Sequence, residues 1–316
     1  MKKLMISLVA AGLLGATSAM AADLKPIVKA PPAPAPSPWD IAFGGALMSD
    51  YNFRGISQSN RGPSVTAYAE TRYNVNSNWQ VYWGSQYWAV TLPTNPTCEC
   101  DLYGGIRPTI GPLAFDFGFI YYWYPKERQH VTGIPAPFPA FPNGNSTLDD
   151  TDYWEVYGKV SWEVVKDKFA VGANFYYSPS WLNTGAYGAY GSVTAKFTGP
   201  SFRNPFPFGL VDEIGWYISG ELGHYWLGTT DLVPFVFSPA VNLPDYTTWN
   251  IGLAFTWKVF TLDLRYYDTD LSKVECNILT GDPNAFVTPA GNASKWCNAT
   301  FIAAFKFDLT AMTNLK

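Results

Sequence analysis

Histidine and charged residues are scarce in this 316-residue sequence. His130 and His224 are the only histidines, and Asp, Glu, Lys and Arg make up 15% of the chain, against about 25% in average soluble domains. Cys98 and Cys100 lack the two-residue spacing of zinc pairs and have no histidine near them in sequence. No hydrolase motif is present. We therefore expect no catalytic residues, no metal site and no cofactor, and a protein that is not an enzyme.

Long apolar runs and clustered cations are also missing from most of the chain. Beyond residue 21, no apolar run approaches the ~20 residues of a transmembrane helix, although 47% of the residues are hydrophobic. A membrane-spanning part must therefore consist of strands. Asp and Glu outnumber Lys and Arg by 25 to 21, which speaks against nucleic acid as a partner because such binding needs concentrated positive charge.

The N-terminus has the pattern of an export signal. Two lysines precede an apolar run, Leu4–Ala16, and small residues then form a cleavage site after Ala21. We interpret residues 1–21 as a signal peptide and the proline-rich residues 22–38 as a periplasmic tether. Loss of the two lysines leaves the exported chain with 19 basic against 25 acidic residues, a net charge of about −6.

Aromatic residues and glycine are abundant from Trp39 onward. Trp, Tyr and Phe make up 17% of the sequence, and 27 glycines accompany them. Apolar and polar residues alternate over segments of about ten residues, which is typical of strands with one dry and one wet face. The dry face of the first segment carries Trp39, Ile41, Phe43, Gly45, Leu47, Tyr51 and Phe53. The pattern predicts an all-β, antiparallel, up-and-down transmembrane β-barrel of about twelve strands over residues 39–309, followed by a short tail at 310–316.

The links between the predicted strands alternate in length. Links after strands two, four, six and ten are short, whereas others extend over 125–151, 227–245 and 270–297. Short periplasmic turns and long extracellular loops characterise bacterial outer-membrane barrels, so we expect that location. The link 198–213 is long on the side predicted to be short, which leaves open a small helix or a miscounted strand there.

A soluble β-sandwich or soluble barrel gives the same alternation with its apolar face turned inward. The predicted strands run to about ten residues, whereas soluble strands average five or six. Aromatic residues also gather near strand ends, and the wet faces carry charges of both signs. These features favour the membrane barrel.

The wet faces supply the candidate pore lining. Ten acids and seven bases lie there, which indicates ion pairs between neighbouring strands and a weak preference for cations. A lumen plugged by the same ion pairs is the alternative. The candidates are Asp50, Asn52, Arg54, Glu70, Arg72, Asp101, Arg107, Asp116, Glu155, Lys159, Lys196, Glu221, Asp263, Arg265 and Lys306, and Asp40, Glu163 and Asp308 complete the charged set.

The four cysteines, Cys98, Cys100, Cys276 and Cys297, fall in or beside predicted extracellular loops. Exported chains keep disulfides, and three pairings are possible. We prefer Cys276 with Cys297, which would staple the last long loop.

Three other features invite a functional interpretation. Ser219 lies five residues from His224 but on the opposite face of its strand, a geometry that does not suit a nucleophile and its base. Three aspartates at 149–152 lack the glycine and glutamate of a Ca²⁺ loop, and we interpret them as a solvated loop end. The loop 125–151 is long enough to fold into the barrel mouth or to remain a mobile surface loop.

The segment 49–59 reads SDYNFRGISQS and is followed by Gly62 and Pro63. It resembles the first hairpin of the TorF family, a proteobacterial family of outer-membrane porins, which carries a similar S-D-Y-x-F-R-G-I-S-Q-S stretch. The resemblance implies an outer-membrane barrel with pore activity and does not identify the solute. Within this motif we expect Arg54 to pair with Asp50 or Glu70 and to position the loop.

The sequence departs from that family in two respects. The loops 125–151 and 270–297 look enlarged, and the chain does not end on the aromatic residue typical of barrel assembly signals. We expect Phe305, Phe307 and Leu309 to supply that signal a few residues earlier.

The sequence thus predicts a porin-like channel for passive diffusion of small hydrophilic solutes or ions. A structural or adhesive surface barrel acting through its long loops is the alternative, and an outer-membrane lipid hydrolase is a distant third. The expected partners are outer-membrane lipid and lipopolysaccharide, the barrel-assembly machinery during biogenesis, and the solutes themselves.

Overall fold

Twelve long strands form a closed antiparallel barrel in the computed structural model, which describes residues 37–131, 140–147, 150–203, 213–231 and 240–314. Each strand pairs with its sequence neighbours, and the last pairs with the first through Leu47 opposite Phe305. The strands are β1 (Trp39–Met48), β2 (Ser64–Asn76), β3 (Trp79–Trp88), β4 (Glu99–Ile110), β5 (Leu113–Trp123), β6 (Tyr153–Val165), β7 (Phe169–Ser178), β8 (Gly188–Thr198), β9 (Glu213–Leu227), β10 (Tyr246–Trp257), β11 (Phe260–Thr269) and β12 (Thr300–Thr310).

The predicted fold class and strand number are confirmed. The predicted signal peptide and the tether up to residue 36 lie outside the described residues. The predicted tail begins within the end of β12 and continues as a short helix, Ala311–Asn314.

The dry faces of the strands point outward. Trp39, Ile41 and Leu47 are about half exposed, whereas Ala42 on the other face of β1 is 1% exposed. The same holds around the barrel, where large apolar side chains such as Ile110, Val193 and Ile251 lie on the outside. Because the sheet has no open edge, every strand can satisfy its backbone hydrogen bonds while its apolar face meets lipid.

Aromatic side chains mark both ends of this outer surface. Trp39, Trp79 and Trp162 lie near the short turns, and Trp123, Trp154, Trp226 and Trp249 lie near the opposite ends of their strands. Tyr and Trp rings prefer the membrane–water interface because they combine an apolar body with a polar tip. The apolar belt between two aromatic girdles makes the protein a β-barrel of the bacterial outer membrane.

The links follow the predicted alternation. On one side β2–β3, β4–β5, β6–β7 and β10–β11 join through two or three residues, and on the other side the loops cover 49–63, 89–98, 124–152, 179–187, 228–245 and 270–299. The link after β8, which is long on the side of the short turns, contains no additional barrel strand in its described part. Phe202 and Arg203 pair with Ile214 and Glu213 and so extend the start of β9, and residues 204–212 lie outside the described residues.

Tyrosine side chains pack against glycines of neighbouring strands on the inner wall. A Cβ atom on Gly118 would lie 2.5 Å from the Tyr157 hydroxyl oxygen, and one on Gly84 would lie 2.7 Å from that of Tyr103. Each tyrosine ring therefore lies flat across a glycine of a neighbouring strand.

Helices contribute little to the fold. One eight-residue helix, α1 (Lys273–Thr280), begins in a capping box formed by Ser272 and Glu275 and ends at Gly281. No helix among the described residues is long and apolar enough to cross a membrane.

Candidate functional site in the barrel lumen

The first extracellular loop turns into the barrel instead of extending away from it. Residues 52–53 pair with 56–57 in a small hairpin whose turn is formed by Arg54 and Gly55, both with positive φ. A side chain on Gly55 would lie 2.3 Å from the Thr269 methyl group, so only glycine fits where the turn approaches β11. We call residues Asp50–Ser59 the plug hairpin.

The plug hairpin corrects the sequence interpretation of Tyr51 and Phe53. Both were expected to face lipid with Trp39, but β1 ends at Met48 and the chain then bends inward. Tyr51 is 5% exposed, stacks on Trp88 with ring centroids 4.0 Å apart, and donates a hydrogen bond to Glu99 at 2.5 Å. The alternation continues in the sequence, but the strand does not.

Arg54 reaches across the lumen to Glu155 on β6. Two hydrogen bonds join the groups, Nη1 to Oε1 at 2.6 Å and Nη2 to Oε2 at 2.8 Å, and the side chains are 6% and 0% exposed. The expected pairing with Asp50 or Glu70 is therefore wrong. The guanidinium also lies within 5 Å of four ring centroids, those of Phe53, Tyr176, Tyr190 and Tyr225. Bidentate pairing and aromatic stacking both suit arginine.

Asp50 holds the base of the plug hairpin. Its Oδ1 accepts hydrogen bonds from Ser57 at 2.6 Å and from Ser59 at 2.9 Å, and its Oδ2 lies 3.9 Å from Arg61. Burial raises the pKa of the Asp50 carboxyl, and these donors act in the opposite direction. The motif that suggested a family resemblance is thus the element that closes the outer mouth.

A second layer covers the plug hairpin from outside. It is built by loop 6 (residues 270–299), which contains α1 and a small hairpin in which Phe286–Thr288 pairs with Gly291–Ala293. The Ser57 backbone donates to the Trp296 carbonyl at 3.0 Å, and Trp296 donates through its indole to Asn60 at 2.9 Å. Opening the outer mouth therefore requires separation of the plug hairpin from loop 6 as well as from the wall.

Loop 6 is also fixed to loop 3 (residues 124–152). Asn145 donates to Asn277 at 3.0 Å, and Asn143 donates to the Asp282 carbonyl at 2.8 Å. The sequence analysis left two alternatives for loop 125–151, folding into the mouth or a mobile surface loop, and residues 132–139 and 148–149 lie outside the described residues. The loop that the structure places in the mouth is the first one, which the sequence analysis did not single out as a closure.

Both disulfides lie on the extracellular side. The preferred pair Cys276–Cys297 is present and spans 21 residues of loop 6, and Cys98 pairs with Cys100 at the start of β4. The first bridge joins α1 to the segment beside Trp296 and so fixes the layer that covers the plug hairpin.

Replacing both Cys276 and Cys297 by serine is expected to loosen loop 6. In the chain-entropy model, a disulfide that closes a loop of about 20 residues stabilises the folded state by about 3 kcal/mol. We expect the variant to lose this stabilisation locally, in loop 6. Limited proteolysis of the folded protein in lipid should show faster cleavage within 270–299. The matched Cys98→Ser/Cys100→Ser variant removes a bridge that spans two residues and should leave that rate unchanged. Equal rates in both variants would argue against a stapling role.

Below the plug hairpin, the lumen contains a polar cavity of about 600 Å³. A smaller cavity of about 250 Å³ adjoins it and shares Asn52, Gln86 and Arg265 among its walls. The walls of the large cavity carry charged side chains, tyrosines, and the amides of Gln86, Asn174 and Asn250. Below the packed aromatic cluster around the plug hairpin, the interior is therefore a polar cavity and not an apolar pocket.

Two charged networks line the large cavity. Arg107 bonds Glu70 through Nη1 at 2.8 Å and Nη2 at 3.0 Å, approaches Asp116 at 3.4 Å, and lies 3.5 Å from the Tyr82 ring centroid. Arg72 joins this network through Glu70. On the opposite side Asp263 accepts from Lys306 at 2.9 Å and lies 3.4 Å from Arg265. The predicted ion pairs between strands are present in both networks.

The exposure of the charged side chains changes from the outer end to the periplasmic end. Arg54 and Glu155 are 6% and 0% exposed, Arg107 is 18% exposed, and Lys306 is 38% exposed. The charged pair at the outer end of the lumen is therefore more completely buried than Arg107 and Lys306 around the cavity below it.

The structure places the sequence candidates at different depths inside the barrel. The candidates that line the large cavity are Asn52, Arg54, Arg107, Asp116, Lys159, Glu221, Asp263, Arg265 and Lys306. Asp50, Asp101 and Glu155 are buried in or beside the plug contacts, and Glu70 and Arg72 lie behind Arg107. Lys196 lies on the inner face of β8 next to Tyr217. Glu163 is exposed and accepts from Asp167 in the β6–β7 turn, so it does not belong to the lumen.

Sequence reasoning missed the tyrosines that build the upper lumen and the carboxylate of Glu99. Tyr122, Tyr225 and Tyr246 surround the Arg54–Glu155 pair, and the Tyr122 hydroxyl donates to Glu155 at 2.9 Å. Tyr103, Tyr157 and Tyr190 stand at wet-face positions of their strands, so strand alternation could have marked them as inward-facing. Glu99 could not be found this way because the sequence does not show where the preceding loop ends and the strand begins.

The other constellations give no reaction centre within the described residues. His224 and Ser219 lie on opposite faces of β9, as predicted; His224 contacts Thr247 at 3.0 Å and Ser219 bonds Arg265 at 2.7 Å. Asp150 and Asp152 lie near Glu127, but Glu127 accepts from Thr151, and Asp152 accepts from Tyr124 and Tyr121. These hydrogen bonds account for the acidic group as part of the loop structure.

Comparisons with solved structures find distant barrels. OmpTdeltaL8, a loop deletion mutant of an outer membrane protein of Vibrio cholerae, has 10% identity and a TM-score of 0.36, with 86% of this chain and 100% of that chain covered. The COG4313 outer membrane channel from Pseudomonas putida F1 has 10% identity, a TM-score of 0.40 and coverages of 87% and 96%. LpxR from Salmonella typhimurium has 8% identity, a TM-score of 0.38 and coverages of 84% and 99%. These similarities are too low to support any inference, and the fold rests on the strand pairing of this chain.

Sequence comparisons add one family. No curated protein matches the chain. Residues 32–186 match a family described as "Bacterial protein of unknown function (Gcw_chp)". The matching segment includes the plug hairpin and both partners of the Arg54–Glu155 pair, so the first half of this outer-membrane barrel is similar to a bacterial family whose description assigns no function.

Proposed function

We propose that the protein is a porin-like channel for passive diffusion of small hydrophilic solutes or ions, closed at its outer mouth by the plug hairpin, and that it is a TorF family porin. The observation that carries the proposal is the polar cavity of about 600 Å³ beneath a closure made of loop residues. A closure made of a loop can leave the lumen without disturbing any strand pair. A lining of charged and hydroxyl groups suits hydrated solutes.

The closure also explains how such a barrel avoids a permanent leak. The Arg54–Glu155 pair, the Tyr51–Glu99 bond and the contacts to loop 6 all have to be broken before a solute can pass. All of these contacts are side-chain contacts or loop contacts, and none belongs to the ladder of barrel hydrogen bonds. The channel is therefore closed at rest and opens when the plug hairpin moves.

Single-channel recordings in planar bilayers test this function. The full-length protein should show rare openings, and a variant with a short Gly/Ser linker in place of residues 50–62 should conduct steadily. Val287→Ser, at the 75% exposed tip of the loop 6 hairpin, serves as the control and should retain rare openings. Absence of current from both the full-length protein and the linker variant, with folding verified by gel mobility before and after heating, would overturn the proposal.

A surface-binding role is the second candidate. The tip of the loop 6 hairpin exposes two adjacent apolar side chains, Val287 at 75% and Phe286 at 42%, whose burial against a partner would be favourable. This role becomes the better explanation if no variant conducts.

A further inference from the structure

We propose that the lumen selects small oxyanions, carboxylates or phosphates, through Lys159 and Lys196. This inference rests on the proposed channel function and concerns the class of solute. The count of charged residues in the sequence favours cations. Their positions in the barrel favour anions.

Most cations of the lumen are already neutralised. Arg54 is paired with Glu155, Arg107 with Glu70 and Asp116, and Lys306 with Asp263. Among the described residues, no carboxylate lies within 4.0 Å of the amine of Lys159 or Lys196. These two lysines therefore remain available to a solute.

The nearest candidate partner of Lys159 is engaged elsewhere. Asp116 lies directly opposite Lys159 in the β5–β6 register. However, its carboxylate accepts a hydrogen bond from Tyr82 and approaches Arg107 at 3.4 Å. The Lys159 amine instead lies over the Tyr157 ring, 4.4 Å from its centroid, and 5.4 Å from that of Tyr176. Aromatic faces favour a cation without neutralising its charge.

The β7 and β8 parts of the wall between the two lysines carry no acid among their inward-facing residues. The inward-facing residues of β7 at this level are Asn174, Gly172 and Ala170, and those of β8 include Ser192 and Thr194 above Lys196. Lys196 lies 4.1 Å from the Tyr217 ring centroid. Lys159 and Asn174 therefore line the large cavity, and Lys196 lies on the inner face of β8 below it, opposite Ala170.

The remaining charges on the cavity wall point the same way. Five of its charged lining side chains are basic and three are acidic. Glu221, on the neighbouring strand β9, accepts a hydrogen bond from the Tyr190 hydroxyl at 2.9 Å. A solute that carries a carboxylate or phosphate can thus meet an unpaired ammonium group and hydroxyl donors on one wall of the lumen, a combination suited to oxyanions.

Two measurements test the inference, one of which does not require conduction. Calorimetric titration of the detergent-solubilised full-length protein with inorganic phosphate should show binding that is weakened about fivefold in Lys159→Gln, the factor expected for a charge about 4 Å away acting through water. Lys166→Gln, on the exposed β6–β7 turn, removes the same charge outside the lumen and should bind like the natural protein. Lys196→Gln provides a second variant on a different strand if Lys159→Gln fails to fold.

Reversal potentials in a KCl gradient, measured on the linker variant of residues 50–62, give the second readout. Because this variant also lacks Arg54 and so leaves Glu155 unpaired, the expected result is a shift between variants: Lys159→Gln should lower the permeability of chloride relative to potassium, while Lys166→Gln leaves that ratio unchanged. Phosphate binding without current in any variant would support the anion site and reject the channel. Current with a preference that neither Lys159→Gln nor Lys196→Gln alters, or phosphate binding unaffected by both, would overturn the anion inference and leave the channel standing.

Discussion

Replacing Glu155 by glutamine is expected to open the outer mouth of the barrel. The amide keeps the shape of the side chain but leaves the Arg54 guanidinium, which is 6% exposed, without its counter-charge. Breaking a buried ion pair by removing one partner typically costs about 3–5 kcal/mol. The cost falls on the closed arrangement alone, because a displaced plug hairpin returns Arg54 to water. Frequent or permanent openings in planar bilayers are therefore expected from a variant whose barrel strands remain paired.

Two matched variants make this prediction specific. Glu163→Gln removes the same charge from the same strand, but at an exposed position near the end of β6, where Glu163 accepts a hydrogen bond from the Asp167 backbone, and should leave openings rare. The double variant Arg54→Met/Glu155→Gln removes both buried charges and keeps an acceptor for the Tyr122 hydroxyl, which bonds Glu155 at 2.9 Å. It should close the mouth again, since an uncharged pair of similar volume is often no less stable than a buried ion pair. A closed Glu155→Gln protein, or one that opens no more than Glu163→Gln, would contradict the role of the pair.

Replacing Arg107 by methionine is expected to produce the largest loss of barrel stability. Arg107 neutralises both Glu70 and Asp116 and stacks on Tyr82, and all four residues come from different strands, β2 to β5. Without it the Glu70 carboxylate, whose side chain is 5% exposed, keeps only Arg72 as a partner. By the same reasoning on unpaired buried charges, the free energy of unfolding should fall by about 3–5 kcal/mol.

Unfolding by guanidinium chloride in detergent micelles, followed by tryptophan fluorescence, measures this loss. The unfolding midpoint of Arg107→Lys should lie between those of the natural protein and Arg107→Met, because lysine keeps the charge but cannot form the bidentate bond to Glu70. Arg203→Met is the control for loss of one arginine. Arg203 is exposed and lies in the two-residue segment that pairs with the start of β9. Equal midpoints for Arg107→Met and Arg203→Met would show that the network does not stabilise the barrel.

The two predictions concern different parts of the lumen, and their results can be separated. Arg54 and Glu155 join a loop to the wall, so their loss should change conductance with little effect on unfolding. Arg107, Glu70 and Asp116, together with Tyr82, join four strands of the wall, so loss of Arg107 should change unfolding first. We therefore expect the contacts of the upper lumen to control opening and those of the lower lumen to stabilise the barrel.

Strand alternation predicted the barrel and its lipid face correctly because it is a local property. Successive side chains of a strand point to opposite faces, so Trp39, Ile41 and Leu47 had to share one surface wherever β1 lay in the molecule. Link lengths are equally local, and they predicted which side of the barrel carries the loops. The disulfide between Cys276 and Cys297 followed from their position in one long loop.

Partners across the lumen could not be predicted in this way. Alternation shows that Arg54 and Glu155 both avoid lipid, but it does not give their heights, which depend on the tilt and stagger of the strands. The partners are 101 residues apart in sequence. Asp50 and Glu70 were nearer in sequence to Arg54, yet each is engaged by other groups, Ser57 and Ser59 in one case and Arg107 in the other.

The sequence by itself determined that this chain is a barrel with about twelve strands, an apolar exterior and a charged interior, because each of these properties depends on residues close together in the chain. Only the tertiary structure decided that the first loop fills the outer mouth, that Tyr51 and Phe53 turn away from lipid, and that no acid of the described residues pairs with Lys159 or Lys196. These features depend on where a bend directs the chain and on which side chains meet across a tilted, closed sheet. Both are fixed by closure of the whole barrel, and no local pattern records them.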